Sequence, residues 1–111
     1  MIGGNTHATL QRKKVQPGKY GATGDGEWVD ITSLTGWLDL IGGGGSDAKY
    51  SALLQDSTHI FLCDYRRIEA EGQLQLVVNG AEYDVKLIDN PMGLNQQLEI
   101  YLSYHGGRVD Q

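Results

Sequence analysis

Asn79-Gly80 stands between two runs that alternate apolar and polar residues, and nothing else in the chain constrains the fold as strongly. Both residues accept positive φ at low cost, which the tight two-residue turn of a β-hairpin demands. Before the turn, residues 73–78 (QLQLVV) put Leu74, Leu76 and Val78 on one face. After it, residues 82–88 place Tyr83, Val85 and Leu87 inward against Asp84 and Lys86 outward. A hairpin with one apolar face is marginal alone and needs more strands to cover it.

Those strands are legible elsewhere. Residues 57–65 (STHIFLCDY) carry strand-favouring apolar residues on both faces, as expected of a central strand with neighbours on each side. Asn90-Pro91-Met92-Gly93 reads as a turn, after which Leu98, Ile100, Leu102 and Tyr104 form the inner face of a last strand. Residues 27–41 (EWVDITSLTGWLDLI) also read as β, with Val29, Ile31, Leu34 and Leu38 inward. Gly36 there suggests a bulge or bend between two half-strands. Residues 6–15 are mostly polar around Ala8, Leu10 and Val15, which suits a short or edge strand or a docking arm, and residues 49–54 fit either a short helix or a strand start.

Glycine supplies the punctuation: 16 of 111 residues, against 2 prolines. Pro17-Gly18 with Gly21, Gly24 and Gly26 marks a flexible surface loop over 16–26, and Gly42-Gly43-Gly44-Gly45 followed by Ser46-Asp47 marks a projecting one. The expected fold is all-β: a small closed or partly open β-barrel of about six or seven short strands with long glycine-rich loops, which limits exposed sheet edges. The expected layout is an N-terminal arm and flexible loop over 1–26, the barrel over 27–105 and a disordered tail over 106–111.

Residue chemistry argues for binding rather than catalysis. His7, His59 and His105 lie in different expected elements with no carboxylate or cysteine pair at ligand spacing, so no metal or other cofactor is expected and His59 reads as a hydrogen-bonded structural residue. Cys63, the one cysteine, falls inside an apolar strand and reads as a small buried hydrophobe rather than a nucleophile. The glycine cluster lacks the Lys-Ser/Thr pair of a phosphate loop. No carboxylates form a recognisable acid–base pair, so no enzyme is expected. A net charge of −5 counts against wrapping nucleic acid. No basic-then-apolar leader opens the chain and no run nears the roughly 18 apolar residues of a membrane span. A soluble protein made in a cytoplasm is the expectation.

Several motifs in order resemble the head-closure (head–tail joining, or connector stopper) proteins of long-tailed bacteriophages. Trp28-Val-Asp-Ile31 and Gly36-Trp-Leu-Asp-Leu-Ile41 before Gly42 are similar to the family's first block. Thr58-His59 opening an apolar strand that ends at Tyr65 is similar to the second, and the stretch from Leu76 to Ile88 to the strand–turn–strand that follows. Asp89-Asn-Pro-Met-Gly93 with Leu98-Glu-Ile-Tyr-Leu102 fits the last. The likeness spans 28–103. Many members carry an arginine inside the strand after Thr-His; Leu62 and Cys63 stand there in this chain and the arginines follow at Arg66-Arg67, so no role for a strand arginine carries over.

The resemblance implies a structural subunit of the virion, assembled in the host cytoplasm into a ring, commonly a dodecamer, below the portal or adaptor protein. Such a ring closes the channel over packaged double-stranded DNA, without sequence-specific binding, and offers a docking surface to tail proteins; no membrane is involved. It also implies a channel-gating loop, expected at Gly42, Gly43, Gly44, Gly45, Ser46, Asp47, Ala48, Lys49 and Tyr50. Inter-subunit or adaptor contact is expected at Arg12, Lys13, Lys14, Lys19 and Tyr20. The acidic balance would keep free subunits soluble and monomeric before a template is present. Two alternatives stay open: a tail-completion or tail-terminator type of connector, and a small oligonucleotide-binding β-barrel with tyrosines as stacking platforms.

Overall fold

The computed structural model describes residues 3–14, 27–41, 57–69 and 71–107. Its strands are β1 (Thr6–Lys14), β2 (Glu27–Leu40), β3 (His59–Asp64), β4 (Leu74–Val78), β5 (Ala81–Asp89) and β6 (Gln97–Gly107). They form a closed antiparallel barrel in the order β1-β2-β3-β6-β5-β4. Two three-strand meanders are thus joined through β1–β4 on one side and β3–β6 on the other. Because β3 and β4 are not neighbours, the segment between them crosses one end of the barrel, where Tyr65 and Ile68 pack against the core.

The expected small all-β barrel is therefore the observed fold, with six strands. The expected hairpin is β4–β5, and Asn79 (φ 51) and Gly80 (φ 83) both take the left-handed conformation its turn requires. The central strand is β3, paired with β2 and β6. Phe61, Leu10, Leu76, Ile100 and Leu102 are wholly buried. Each contributes about 1.5–3 kcal/mol by leaving water. Leu38, Phe61, Ile100 and Ile88 are directly opposite one another along β2, β3, β6 and β5, so one core row crosses four strands.

The register also corrects several expectations. Thr6–Lys14, placed in an arm or short edge strand, is a barrel strand paired with β2 along its length and with β4 over Ala8–Arg12, because Ala8 and Leu10 are needed to fill the core beside Val78 and Leu76. β6 runs to Gly107, past the expected barrel end at 105, by pairing Gly106 and Gly107 with Glu82 and Ala81. Gly36 is regularly paired; the irregularity in β2 is at Ile31, left over between the Leu10–Thr32 and Gln11–Asp30 pairs. Gly36 instead permits a close approach: a Cβ there would overlap the Leu62 carbonyl and lie 2.9 Å from Cys63 Cβ. A second extra residue, Lys86, sits between the Val85–Leu102 and Leu87–Tyr101 pairs. It turns Leu87 outward and gives its inward place to Ile88, since one inserted residue reverses the alternation. Val29 and Tyr104, expected inside, are exposed because their strands run past the filled part of the barrel.

Candidate assembly surfaces

The ends of the barrel carry different chemistry. Lys14 and Glu27 bracket the connection 15–26 at one end; Ile41 and Ser57 bracket the connection 42–56 at the other, because β2 runs the length of the barrel between them. The expected gate residues 42–50, together with Lys19 and Tyr20, lie outside the described residues.

At the end that carries the 42–56 connection, Thr58 ties its return to the sheet. The Ile41 amide donates to the Thr58 carbonyl at 3.0 Å and the Thr58 amide to the Leu102 carbonyl at 2.7 Å. The Thr58 hydroxyl oxygen accepts the Tyr104 amide at 2.8 Å and lies 2.8 Å from His59 Nδ1. His59 begins β3 pointing inward, and its ring meets Tyr83 edge to face at 4.9 Å, with Tyr104 a further 5.5 Å beyond Tyr83. Three aromatic rings thus close this end over the core. Partial burial lowers the His59 pKa below its ordinary 6.5, and burial followed by the proximity of Tyr104 raises that of Tyr83. The Thr-His pair is a hydrogen-bonded anchor.

At the opposite end, Arg12, Lys13 and Lys14 finish β1. Arg12 is the last residue of β1 paired with β4; the Lys13 amide still donates to the Gln73 carbonyl at 2.9 Å, and Lys13 and Lys14 continue as a ribbon paired with Trp28 and Glu27 of β2. Lys13 is half-buried with Nζ 5.7 Å from the Trp28 ring, while Arg12 and Lys14 are exposed. Arg66, though exposed, donates to the Ser33 carbonyl at 2.8 Å and ties the crossing segment to β2. Arg67 pairs with Glu69 at 2.6 Å on the surface, a contact worth little.

Among the described residues no group of three or more His, Cys, Asp or Glu side chains is placed to hold a metal ion. Cys63 is buried, and desolvation, helped by the Asp64 charge and opposed by Arg66, pushes its pKa up to about 11. The thiol is neutral at physiological pH.

Sequence reasoning missed two features. Gln75, at an outward position of β4, is 3% exposed and donates from Nε2 to Gln11 Oε1 at 2.6 Å, while Gln11 Nε2 donates to Asp30 Oδ1 at 2.8 Å. This polar ladder crosses three strands. The other is the outer face of β3: among the described residues, the strands beside Ile60 and Leu62 flank them only along their edges. A one-layer barrel wall leaves its outer face uncovered, so an apolar run on both faces of a strand is itself the signal of an outward apolar surface.

No family model and no curated protein matches this chain.

Proposed function

We propose that the protein is a ring-forming connector subunit at the phage head–tail junction, of the head-closure type. The observation that supports this reading is how the resembling motifs fall on the barrel. The first block lies on β2, the Thr-His block on β3, the strand–turn–strand on the β4–β5 hairpin and the last block on β6. Each motif occupies a separate wall element of one barrel, in order, and the Thr-His pair has a definite task in anchoring β3 to β6.

The architecture suits the role. A connector subunit needs a rigid body that contacts different neighbours at different ends. The barrel is closed, with β2 held by β1 over 27–36 and by β3 over 36–40, so contacts with neighbours fall mainly to side chains and connections. The two long connections, 15–26 and 42–56, join strands at opposite ends of that body. In this role the ring sits below the portal or adaptor, retains the packaged DNA and presents its far side to the tail.

The test is reconstitution. DNA-filled heads lacking their own closure protein are mixed with the purified chain, and vertex occupancy and nuclease resistance of the genome are read. Binding at the portal vertex with retained DNA is the expected result. Binding to tail tubes alone would favour the tail-completion alternative, and binding to neither would remove the connector reading.

A further inference from the structure

We propose that the outer wall formed by β2, β3, β6 and β5 is a docking face for a second copy of this chain, which presents to it the basic ribbon at the end of β1. This assigns the subunit contact of the ring proposed above and rests on that reading for its biological setting.

Register locates the face. Since Leu38, Phe61, Ile100 and Ile88 point inward, the residues on either side of each point outward. The outward rows are Trp37–Leu62–Glu99–Asp89 and Asp39–Ile60–Tyr101–Leu87. Five of these eight positions are apolar or aromatic. Trp37 is 43% exposed, and Ile60, Leu62, Tyr101 and Leu87 are each partly exposed. The outward positions of β1 and its partners differ: Thr9 opposes Ser33 and Val77, and Gln11 opposes Asp30 and Gln75. An outward sheet face in contact with water is normally polar; one side of this barrel obeys the rule and the other breaks it.

Charge identifies the occupant. Asp39, Asp89, Glu99 and the neighbouring Asp64 outnumber the one cation beside the apolar rows, Lys86, the exposed inserted residue of β5 next to Leu87. A surface that covers it must bring apolar groups and cations together. The β1 ribbon of the same chain does so: exposed Arg12 and Lys14 flank Val29, which is 36% exposed, with Glu27 across from Lys14. Among the described residues neither Arg12 nor Lys14 is ion-paired. Face and ribbon are different surfaces of one molecule, so the contact is heterologous, and repeated contacts of that kind close into a ring or continue as a filament.

The test is sedimentation velocity of the full chain, raised in concentration to its solubility limit at low and at high salt, with cross-linked products imaged. The acidic net charge keeps dilute subunits apart, so the expected result is association beyond the dimer only towards the top of the concentration range, weakening with salt. Leu62→Glu, confirmed as folded by its thermal melt, should weaken it more than tenfold, burying a charge in the face. Lys14→Glu should weaken it severalfold, with recovery when combined with Asp39→Lys. A chain that stays monomeric throughout, stops at a symmetric dimer, or associates equally well as Leu62→Glu overturns the proposal. The two readings separate cleanly: a chain that occupies head vertices but whose association ignores these substitutions keeps the connector role and loses this interface. Rings abolished by Leu62→Glu, with no binding to heads, do the reverse.

Discussion

Gly36 shows what a single residue decides in this barrel. It is the one position of β2 paired on both sides, with Thr6 of β1 and Cys63 of β3, and the backbones close in until a side chain no longer fits. Gly36→Ala should cost about 3 kcal/mol, because the obstacle is the Leu62 carbonyl rather than the end of a movable side chain. Urea unfolding measures this, and a loss below about 0.5 kcal/mol would contradict the close approach. His59 makes a prediction in pH. Its pKa is lowered in the fold, so the unfolded chain takes up the proton first; stability is full above about pH 6.5 and falls as the pH drops through that value toward the lowered one. The melting temperature should therefore decline between pH 7.5 and about pH 5.5, and less so in His59→Gln. An identical decline in the variant would assign the effect to other groups.

At the scale of elements, alternation and turn chemistry made most of the barrel legible. The β4–β5 hairpin, β3 as a strand paired on both sides and the inner face of β6 at Leu98, Ile100 and Leu102 follow from side-chain period and from Asn79-Gly80. Replacing Gly80 by Val should cost about 1–2 kcal/mol, since a β-branched residue is poorly suited to φ 83, while Asn79→Gly should be nearly neutral. Equal effects in the two variants would mean that the turn is not what sets this register. What stayed illegible has two physical sources. Inserted residues such as Ile31 and Lys86 shift the phase of a strand without a compositional mark, so Leu87 and Ile88 exchange places unannounced. β1 was hidden because only Ala8 and Leu10 of its residues enter the core, and its many polar groups suit an arm as well as a barrel wall. Of the candidate site, the Thr58-His59 anchor and the Arg12–Lys14 cluster were visible as residue types, but their partners Tyr104, Tyr83 and Trp28 come from remote strands.

The described residues form a filled, closed barrel with an aromatic-capped end, a basic ribbon at the other end and one apolar, acid-edged wall. The connector reading and the subunit contact make separate demands at this scale: the first concerns where the protein goes, the second how copies meet. The most direct measurement is electron microscopy of DNA-filled, closure-deficient heads incubated with the purified chain, reconstructed at the portal vertex without imposed symmetry. The account predicts a ring of barrel-sized subunits below the portal or adaptor on particles that keep their DNA. Vertices left bare, with the chain free in solution and the genome released, would contradict it.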